Sequence, residues 1–329
     1  MAANPGLVTV FGASGFLGRY VVRSLTARGW RVRAAVRNPH TSHELKVIGD
    51  VGQVQLMQAN VRFPNSVARA VQGADAVINL VGALFETGRQ TFEALHVNAP
   101  DIIGDACAAA GIQNLAHVSA IGANVDSDCD YARTKAEGEA RLREHIASAD
   151  ILRPSILFGT EDEFFNRFAG LTAFSPALPL LGGGKTKLQP AFVEDVANAV
   201  AISVTRGSSG QTYELGGPRS YRFKALMAFI LDTIGKKRLL LPMPWFAANM
   251  MGFMGELSGS LPFVKPFLTR DQVENLKNDN IASDSLPGFE AFDIHPKTIE
   301  AIVPTYLAKY RKYGQFYDCL LYTSDAADE

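Results

Sequence analysis

Apolar residues fall in short runs along the first half of this chain, and each run is followed by a stretch of helical spacing. Leu7–Phe11 is a β-branched run that breaks at Gly12, and Phe16–Ala27 continues as a helix carrying Tyr20, Val21, Val22 and Leu25. Arg31–Val36 predicts a second strand closed by an Asn38-Pro39 turn, Val54–Met57 a third, and Ser66–Val71 a short helix. Asp75–Val81 (DAVINLV) is almost continuously apolar, as expected of a strand buried on both faces of a parallel sheet. Gln90–Ala110 is helix-compatible with an interruption at Pro100, and Leu115–Ser119 predicts a fifth strand. Tyr131–His145 predicts a helix with Lys, Glu and Arg towards solvent, and Asp150–Arg153 a sixth strand. This alternation implies right-handed crossovers and an α/β fold with a doubly wound parallel sheet, whose ligands sit at the carboxyl ends of the strands.

Past Pro154 the alternation fades. Prolines 176, 179 and 190 and the run Gly182-Gly183-Gly184 mark loops, while Glu194–Val204 and Phe223–Ile234 predict helices. The expected organisation is a nucleotide-binding domain over residues 1–155 and a smaller C-terminal α+β substrate or docking subdomain over 156–318, partly interleaved with the first. Leu239–Met254 (LLLPMPWFAANMMGFM) carries no charge and four of the chain's seven methionines. It is too short and too proline-broken for a membrane span. It reads either as a buried core helix or as an adaptable docking surface for a membrane complex, a lipid face or a quinone.

Charge and cysteine content narrow the partners. With 32 Lys+Arg against 33 Asp+Glu the net charge is -1, so nothing global points to nucleic acid. The distribution is uneven: Arg19, Arg23, Arg28, Arg31, Arg33 and Arg37 all precede the first acidic residue, Glu44, which predicts a positive field around the glycine turn. Cys107, Cys129 and Cys319 show no metal-ligand spacing, so disulfides, structural zinc and other metal sites are not expected. The first strand begins too early for a signal peptide, which predicts a cytoplasmic protein. The last eleven residues, CLLYTSDAADE, break from the preceding pattern and look like a translated sequencing adapter, so residues 319–329 are expected to be a scar.

The chemistry concentrates at three places. Gly12, Gly15 and Gly18 join a strand to a helix start, where backbone N–H groups and the helix dipole suit a pyrophosphate. Gly12 permits the turn, Gly15 the approach of the phosphates, and Gly18 the packing of helix on strand. Arg37 ends the second strand about twenty residues later, where an NAD-binding chain carries an acidic residue for the ribose 2′-OH. An arginine offers a fork to a 2′-phosphate instead, so NADP(H) is expected over NAD(H). Tyr131 and Lys135, four apart at a helix start, share one face, and Ser119 ends the preceding strand. Such a set makes a proton donor to a carbonyl, with the lysine expected to lower the tyrosine pKa and the serine orienting the carbonyl.

The glycine turn, Asn79-Leu80-Val81-Gly82, Ser119, Tyr131/Lys135 and Arg153-Pro154 together resemble the extended or atypical short-chain dehydrogenase/reductase superfamily, which implies a Rossmann fold. More narrowly, FGASGFLGRYVVRSL, GDVGQV, VINLVG, HVSAIGAN, ILRPSILFGTEDEFFNRFA and LTRDQVENLKNDN resemble the nucleotide-binding accessory subunits of respiratory complex I and their bacterial relatives, over about residues 7 to 310. The resemblance implies a tightly held NADP(H) without an established redox role, complex I subunits as partners, and a peripheral place on the inner membrane. It also assigns positions. Gly12, Ser14, Gly15, Phe16, Leu17, Gly18, Arg19 and Arg37 would hold the adenosine and phosphate half, with Asn60-Val61 at the adenine edge, where relatives often carry Asp. Leu80, Val81 and Gly82 would flank the nicotinamide-side ribose, with Ser119, Tyr131 and Lys135 beside it and Pro154 and Ile156 lining the nicotinamide. Asp195 is either a helix cap or a ligand contact. The other function open to this set is a free-standing NADP(H)-dependent oxidoreductase or epimerase, with Tyr131, Lys135 and Ser119 acting on a carbonyl or isoprenoid-type substrate.

Overall fold

The six strands of the first half all form in the computed structural model, which describes residues 6–259, 268–312 and 314; the expected adapter scar lies outside the described residues. They are β1 (Leu7–Phe11), β2 (Arg31–Val36), β3 (Val54–Gln58), β4 (Ala76–Asn79), β5 (Leu115–Val118) and β6 (Asp150–Pro154). The intervening helices are α1 (Phe16–Ala27), α2 (Pro64–Val71), α3 (Asn98–Ala109) and α4 (Asp130–His145). All pairings in the sheet are parallel. Strand β4 stops short of the expected Val81, because the Asn79 side chain accepts the Val81 N–H at 3.0 Å and turns the chain out of the ladder. The irregularity expected at Pro100 lies earlier, as a π turn over Glu93–Val97 that leads into α3. Pro100 follows directly on that π turn within one continuous helical run, so the irregularity lies where the proline ring and missing N–H interrupt the regular ladder.

Past β6 the chain forms β7 (Leu157–Phe158), α5 (Phe165–Phe174), β8 (Ala177–Leu181), β9 (Lys187–Leu188), β10 (Ala191–Phe192) and α6 (Val193–Arg206). Then come β11 (Thr212–Leu215), β12 (Tyr221–Arg222), α7 (Phe223–Ile234), β13 (Leu239–Met243), α8 (Trp245–Gly259), α9 (Arg270–Asn275) and α10 (Ile299–Leu307). Two of these elements return to the sheet. Strand β11 pairs with β6 and completes a seven-stranded order, β11-β6-β5-β4-β1-β2-β3. Helix α6 packs beside α1 on one face through Val196, Ala197 and Val200, while α2, α3 and α4 cover the other through Val67, Ile103 and Leu142. Alternate strand positions feed the two layers: Val8 and Val10 face α1, and Phe11 and Val77 face α2 and α3.

Phe165, Phe223, Leu226, Ile230 and Leu307 of α5, α7 and α10 belong to the same buried cluster as α1 and α6. Helices α8 and α9 have a small cluster of their own, Leu181, Ala248, Leu268 and Val273, at the carboxyl side of the sheet.

Candidate functional site

The glycine turn has the geometry its spacing requires. Gly12 takes φ +81°, and a Cβ there would stand 3.1 Å from the Leu80 backbone. Its carbonyl accepts the Gly15 N–H at 3.0 Å, and a Cβ on Gly18 would meet that same oxygen at 2.2 Å, so α1 lies directly on the turn. The first turn of α1 carries no acidic residue, and its N-cap, Gly15, offers no side chain. Its leading N–H groups are therefore free for an anion. Leu17 is in the core and the Phe16 ring packs on Tyr20 and towards Gly159, which leaves both residues only backbone N–H groups to present. Ser14 is exposed, and its carbonyl accepts from Arg19 Nη1 at 3.0 Å. Arg19 Nη2 reaches Glu161 at 2.5 Å, which ties the turn to the loop after β7.

The expected positive field is narrower than the arginine count suggests. Arg23 faces Glu194 at 4.0 Å, Arg28 bonds Ser24 and Asn198, and Arg33 bonds the Ala70 and Gln72 carbonyls. Arg28, Arg31 and Arg33 lie at the carboxyl end of α1 and the amino end of β2, opposite the ligand end of the sheet. Arg19 and Arg37 remain at the ligand end. Arg37 is exposed and donates to Gln90 Oε1 at 2.5 Å. Asn60 Oδ1 accepts the Arg62 N–H at 3.2 Å and lies 3.5 Å from Arg62 Nε, and Val61 is buried beside them.

A buried polar group sits where β4 and β5 end. Asn79 Nδ2 donates to His117 Nδ1 at 3.0 Å, which leaves the proton of His117 on Nε2. Ala83 N–H donates to His96 Nε2 at 3.1 Å, so the His96 proton is on Nδ1, 3.1 Å from Thr134 Oγ1. Burial, with Lys135 adding, pushes His96 down to about 2 and His117 to about 3, and both are neutral. The Lys135 ammonium is buried, donates to the Val118 carbonyl at 3.3 Å, and is lowered by burial to about 8, with Glu139 opposing. A Cβ on Gly82 would lie 3.0 Å from Lys135 Nζ, so only glycine there leaves the ammonium open to the pocket. Leu80 and Val81 line the adjoining wall, partly buried.

Tyr131 departs from its expected pairing. Its ring packs edge-on to His96 at 5.2 Å and Phe92 at 5.9 Å, with Lys135 Nζ 6.0 Å from the ring centroid. Burial, Cys129 and Asp271 push its phenol up to about 12, the opposite of the lowering expected from the lysine. Desolvation and the nearby carboxylate outweigh an ammonium at that distance. Asp271 is a group the sequence does not reveal: from α9 its carboxylate accepts Asp130 N–H at 2.7 Å and Tyr131 N–H at 3.3 Å, fixing the start of α4. Its neighbour Gln272 donates to the Leu84 carbonyl at 3.2 Å. No local spacing signals either contact, since both close over more than a hundred residues.

Pro154 is buried and Ile156 partly so, and the Ile156 carbonyl accepts from Ala191 N–H at 2.9 Å. Arg153 forms a fork on Glu139 at 2.9 and 2.6 Å and lies 3.6 Å from Glu214, an ion group joining α4, β6 and β11. Asp195 does not cap its own helix: it accepts Lys297 N–H at 2.7 Å and anchors the approach to α10. Beyond Ser119, a cavity of about 440 Å³ opens between the loop that contains Ile121 and Asp128 and the end of α9 with the turn after it, from Glu274 to Asp279; its walls are largely polar.

These features fit a dinucleotide. The turn supplies backbone donors where a side chain would collide, and Ser119 Oγ and His117 Nε2 are buried without a hydrogen-bond partner among the described residues. Buried polar atoms in that state mark places a polar ligand satisfies. Among the described residues no cluster suits a metal ion.

Comparison with known proteins agrees. The family model for NAD(P)H-binding domains matches residues 12–160. The chain is 35% identical over 310 residues to NADH dehydrogenase (ubiquinone) 1 alpha subcomplex subunit 9, mitochondrial, of Rattus norvegicus, covering 93% of this chain and 81% of the relative. The Arabidopsis thaliana protein of the same description is also 35% identical, covering 94% and 79%. Among solved structures, an NADPH-dependent quinone oxidoreductase from Escherichia coli in complex with NADPH superposes with TM-score 0.72 at 21% identity, covering 91% of this chain and 99% of that one. The chain thus carries an NAD(P)H-binding domain on a Rossmann-like fold.

Proposed function

Because the chain belongs to the family of the complex I alpha-subcomplex subunit 9, we propose that it is an accessory or assembly subunit of a respiratory NADH:quinone oxidoreductase that holds NADP(H) as a structural group. The observation that carries the proposal is an apolar face that the chain's own fold leaves bare on β13 and α8. Leu239 and Leu241 on β13, and Phe246, Met250, Phe253 and Met254 on one face of α8, are each 52–72% exposed. The opposite face of α8, with Ala248, Met251 and Gly252, is already used against α9 and the chain before it. Of the two alternatives open for Leu239–Met254, this geometry supports the docking surface over the buried core helix. Its partner would be a membrane-bound subunit, a quinone or lipid. Among the described residues no helix is long and apolar enough to cross a membrane, in keeping with a peripheral place at the inner membrane.

In this function the α1 N-terminus and Arg19 hold the pyrophosphate, Arg37 the adenosine 2′-phosphate, and Ser119 and Lys135 the nicotinamide-side ribose. The raised phenol of Tyr131 favours retention over reaction, because its proton is held tightly at neutral pH. Nucleotide released from the purified protein is expected to be NADP(H), and gentle solubilisation of membranes is expected to bring complex I subunits with the chain. Recovery of NAD(H) alone, or a chain that purifies without such subunits, refutes the proposal.

A second function has its own support. Lys135 Nζ donates to the carbonyl of Val118, the residue before Ser119, and stands 6.0 Å from the Tyr131 ring centroid, while Ser119 Oγ is buried without a partner among the described residues. A bound NADPH supplies hydride; Ser119 would orient a substrate carbonyl, Tyr131 would donate a proton to its oxygen, and Lys135 would hold the ribose. Turnover of a carbonyl compound by the purified chain, lost in Tyr131→Phe, establishes this function in place of the first.

A further inference from the structure

Strands β2 and β3 end side by side, with Ala59 N–H donating to the Val36 carbonyl at 2.9 Å and Gln58 Nε2 to the Arg37 carbonyl at 3.4 Å. The residues that follow each strand send a guanidinium towards one dipeptide. Arg37 Nη1 donates to Gln90 Oε1 at 2.5 Å, and Arg62 Nη1 to the Arg89 carbonyl at 3.0 Å. Residues 89 and 90 lie in a narrow turn closed by reciprocal Thr87 and Gln90 backbone bonds. Arg19, at the same end of the sheet, is paired with Glu161, and the arginines that bond neutral oxygens at the opposite end, Arg28 and Arg33, each stand alone there. The hydrogen bonds of Arg37 and Arg62 go to neutral oxygens, and the nearest acid of the turn, Glu86, is turned to the Phe92 N–H. Two guanidiniums converging without a counter-charge leave N–H donors for a dianion.

Asn60 gains a role from this arrangement. Its amide oxygen accepts the Arg62 backbone N–H and stands 3.5 Å from Arg62 Nε, so it orients that side chain. A carboxylate at the same place would also pair with the guanidinium and offset its charge. The amide positions without neutralising.

We infer that Arg37 and Arg62 form a two-guanidinium clamp for the phosphate monoester on the adenosine ribose, and that Asn60 keeps Arg62 aimed for it without an ion pair. The clamp rests on the NADP(H) proposal above and adds a second specificity-determining residue to it.

Binding of NADPH and NADH to the nucleotide-stripped full chain, by titration calorimetry, tests it, with 2′,5′-ADP against 5′-ADP as competing probes. Arg62→Ala is expected to weaken NADPH and 2′,5′-ADP about tenfold or more, with NADH and 5′-ADP within about twofold of wild type; intact NADH binding also shows that the variant folds. Asn60→Asp is expected to act in the same direction, and to have no further effect on top of Arg62→Ala. Equal losses for NADPH and NADH, or none, in Arg62→Ala overturn the clamp while leaving the NADP(H) proposal standing on Arg37. A wild-type chain that binds NADH as tightly as NADPH overturns the NADP(H) proposal itself.

Discussion

Replacing Lys135 by Met is expected to make the nucleotide-stripped protein more stable while weakening its hold on nucleotide. Burial brings the Lys135 ammonium from the usual lysine range to about 8, which corresponds to a cost of about 3 kcal/mol for keeping it charged in the fold. Its hydrogen bond to the Val118 carbonyl, at 3.3 Å, returns about 1 kcal/mol. The net gain on substitution is therefore about 2 kcal/mol at pH 7. The sign of the pH dependence follows from the lowered value. At pH 7 lysine is protonated both folded and unfolded, and the full cost is present. Between pH 8 and about 10.5 the folded chain releases this proton before the unfolded chain does, so wild-type stability rises relative to the variant and the gap closes. Denaturant unfolding of both proteins at pH 7 and pH 10, with the difference taken at each pH, isolates this group from others that titrate. A variant less stable than wild type at pH 7, or a difference that does not shrink at pH 10, refutes the burial argument.

Three further outcomes are expected. Gly18→Ala places a Cβ 2.2 Å from the Gly12 carbonyl oxygen, so it should lower the melting temperature and abolish nucleotide retention together; retention at wild-type level would contradict the packing of α1 on the turn. Asp271→Ala removes the acceptor for the first N–H groups of α4, at a cost of about 1 kcal/mol, and also removes one of the charges that raise Tyr131. Ultraviolet titration against a Tyr131→Phe control should then show the phenol ionising at lower pH. The double substitution Phe246→Ser with Met250→Ser changes exposed positions, so stability should hold within about 0.5 kcal/mol each, while co-purification with membrane subunits should be lost.

The local features were legible because they are written at short range. The helix Phe16–Ala27 and the strand Arg31–Val36 form with the bounds their periodicity predicts. Gly12 takes a positive φ, Ser119 directly follows β5, and Lys135 lies in α4 four residues past Tyr131. What stayed hidden is tertiary. Strand β11 has four residues, too few to carry a period, and takes its identity from pairing with β6. His96 enters the site through a π turn ahead of Pro100, and no local residue announces its place there. The arginine run reads as one positive field in sequence, yet its members point along both ends of the sheet. Arg62 carries no local signal, because its bond to the Arg89 carbonyl joins positions 27 residues apart. Leu239–Met254 reads as uniformly apolar, and only its packing separates the face against α9 from the face left bare.

The two proposed functions place different demands on the same pocket, and its residues divide accordingly. Ser119 and Lys135 are buried polar groups with few partners of their own. A ligand that hydrogen-bonds them binds the folded chain and not the unfolded one, so it stabilises the fold by mass action whether or not it reacts. Tyr131 stands apart from that set. Its ring packs on His96 and Phe92, its backbone is fixed by Asp271, and its phenol is raised. Substituting Ser119 or Lys135 should therefore cost nucleotide retention under either function. Tyr131→Phe removes a single oxygen from a residue held by its ring and its backbone, and should leave retention intact. Retention and turnover are thus separable residue by residue: loss of carbonyl turnover in a Tyr131→Phe chain that still holds its nucleotide marks a reacting cofactor, whereas a wild-type chain with no turnover to lose, whose stability falls when the nucleotide is stripped, is one in which the nucleotide serves the fold.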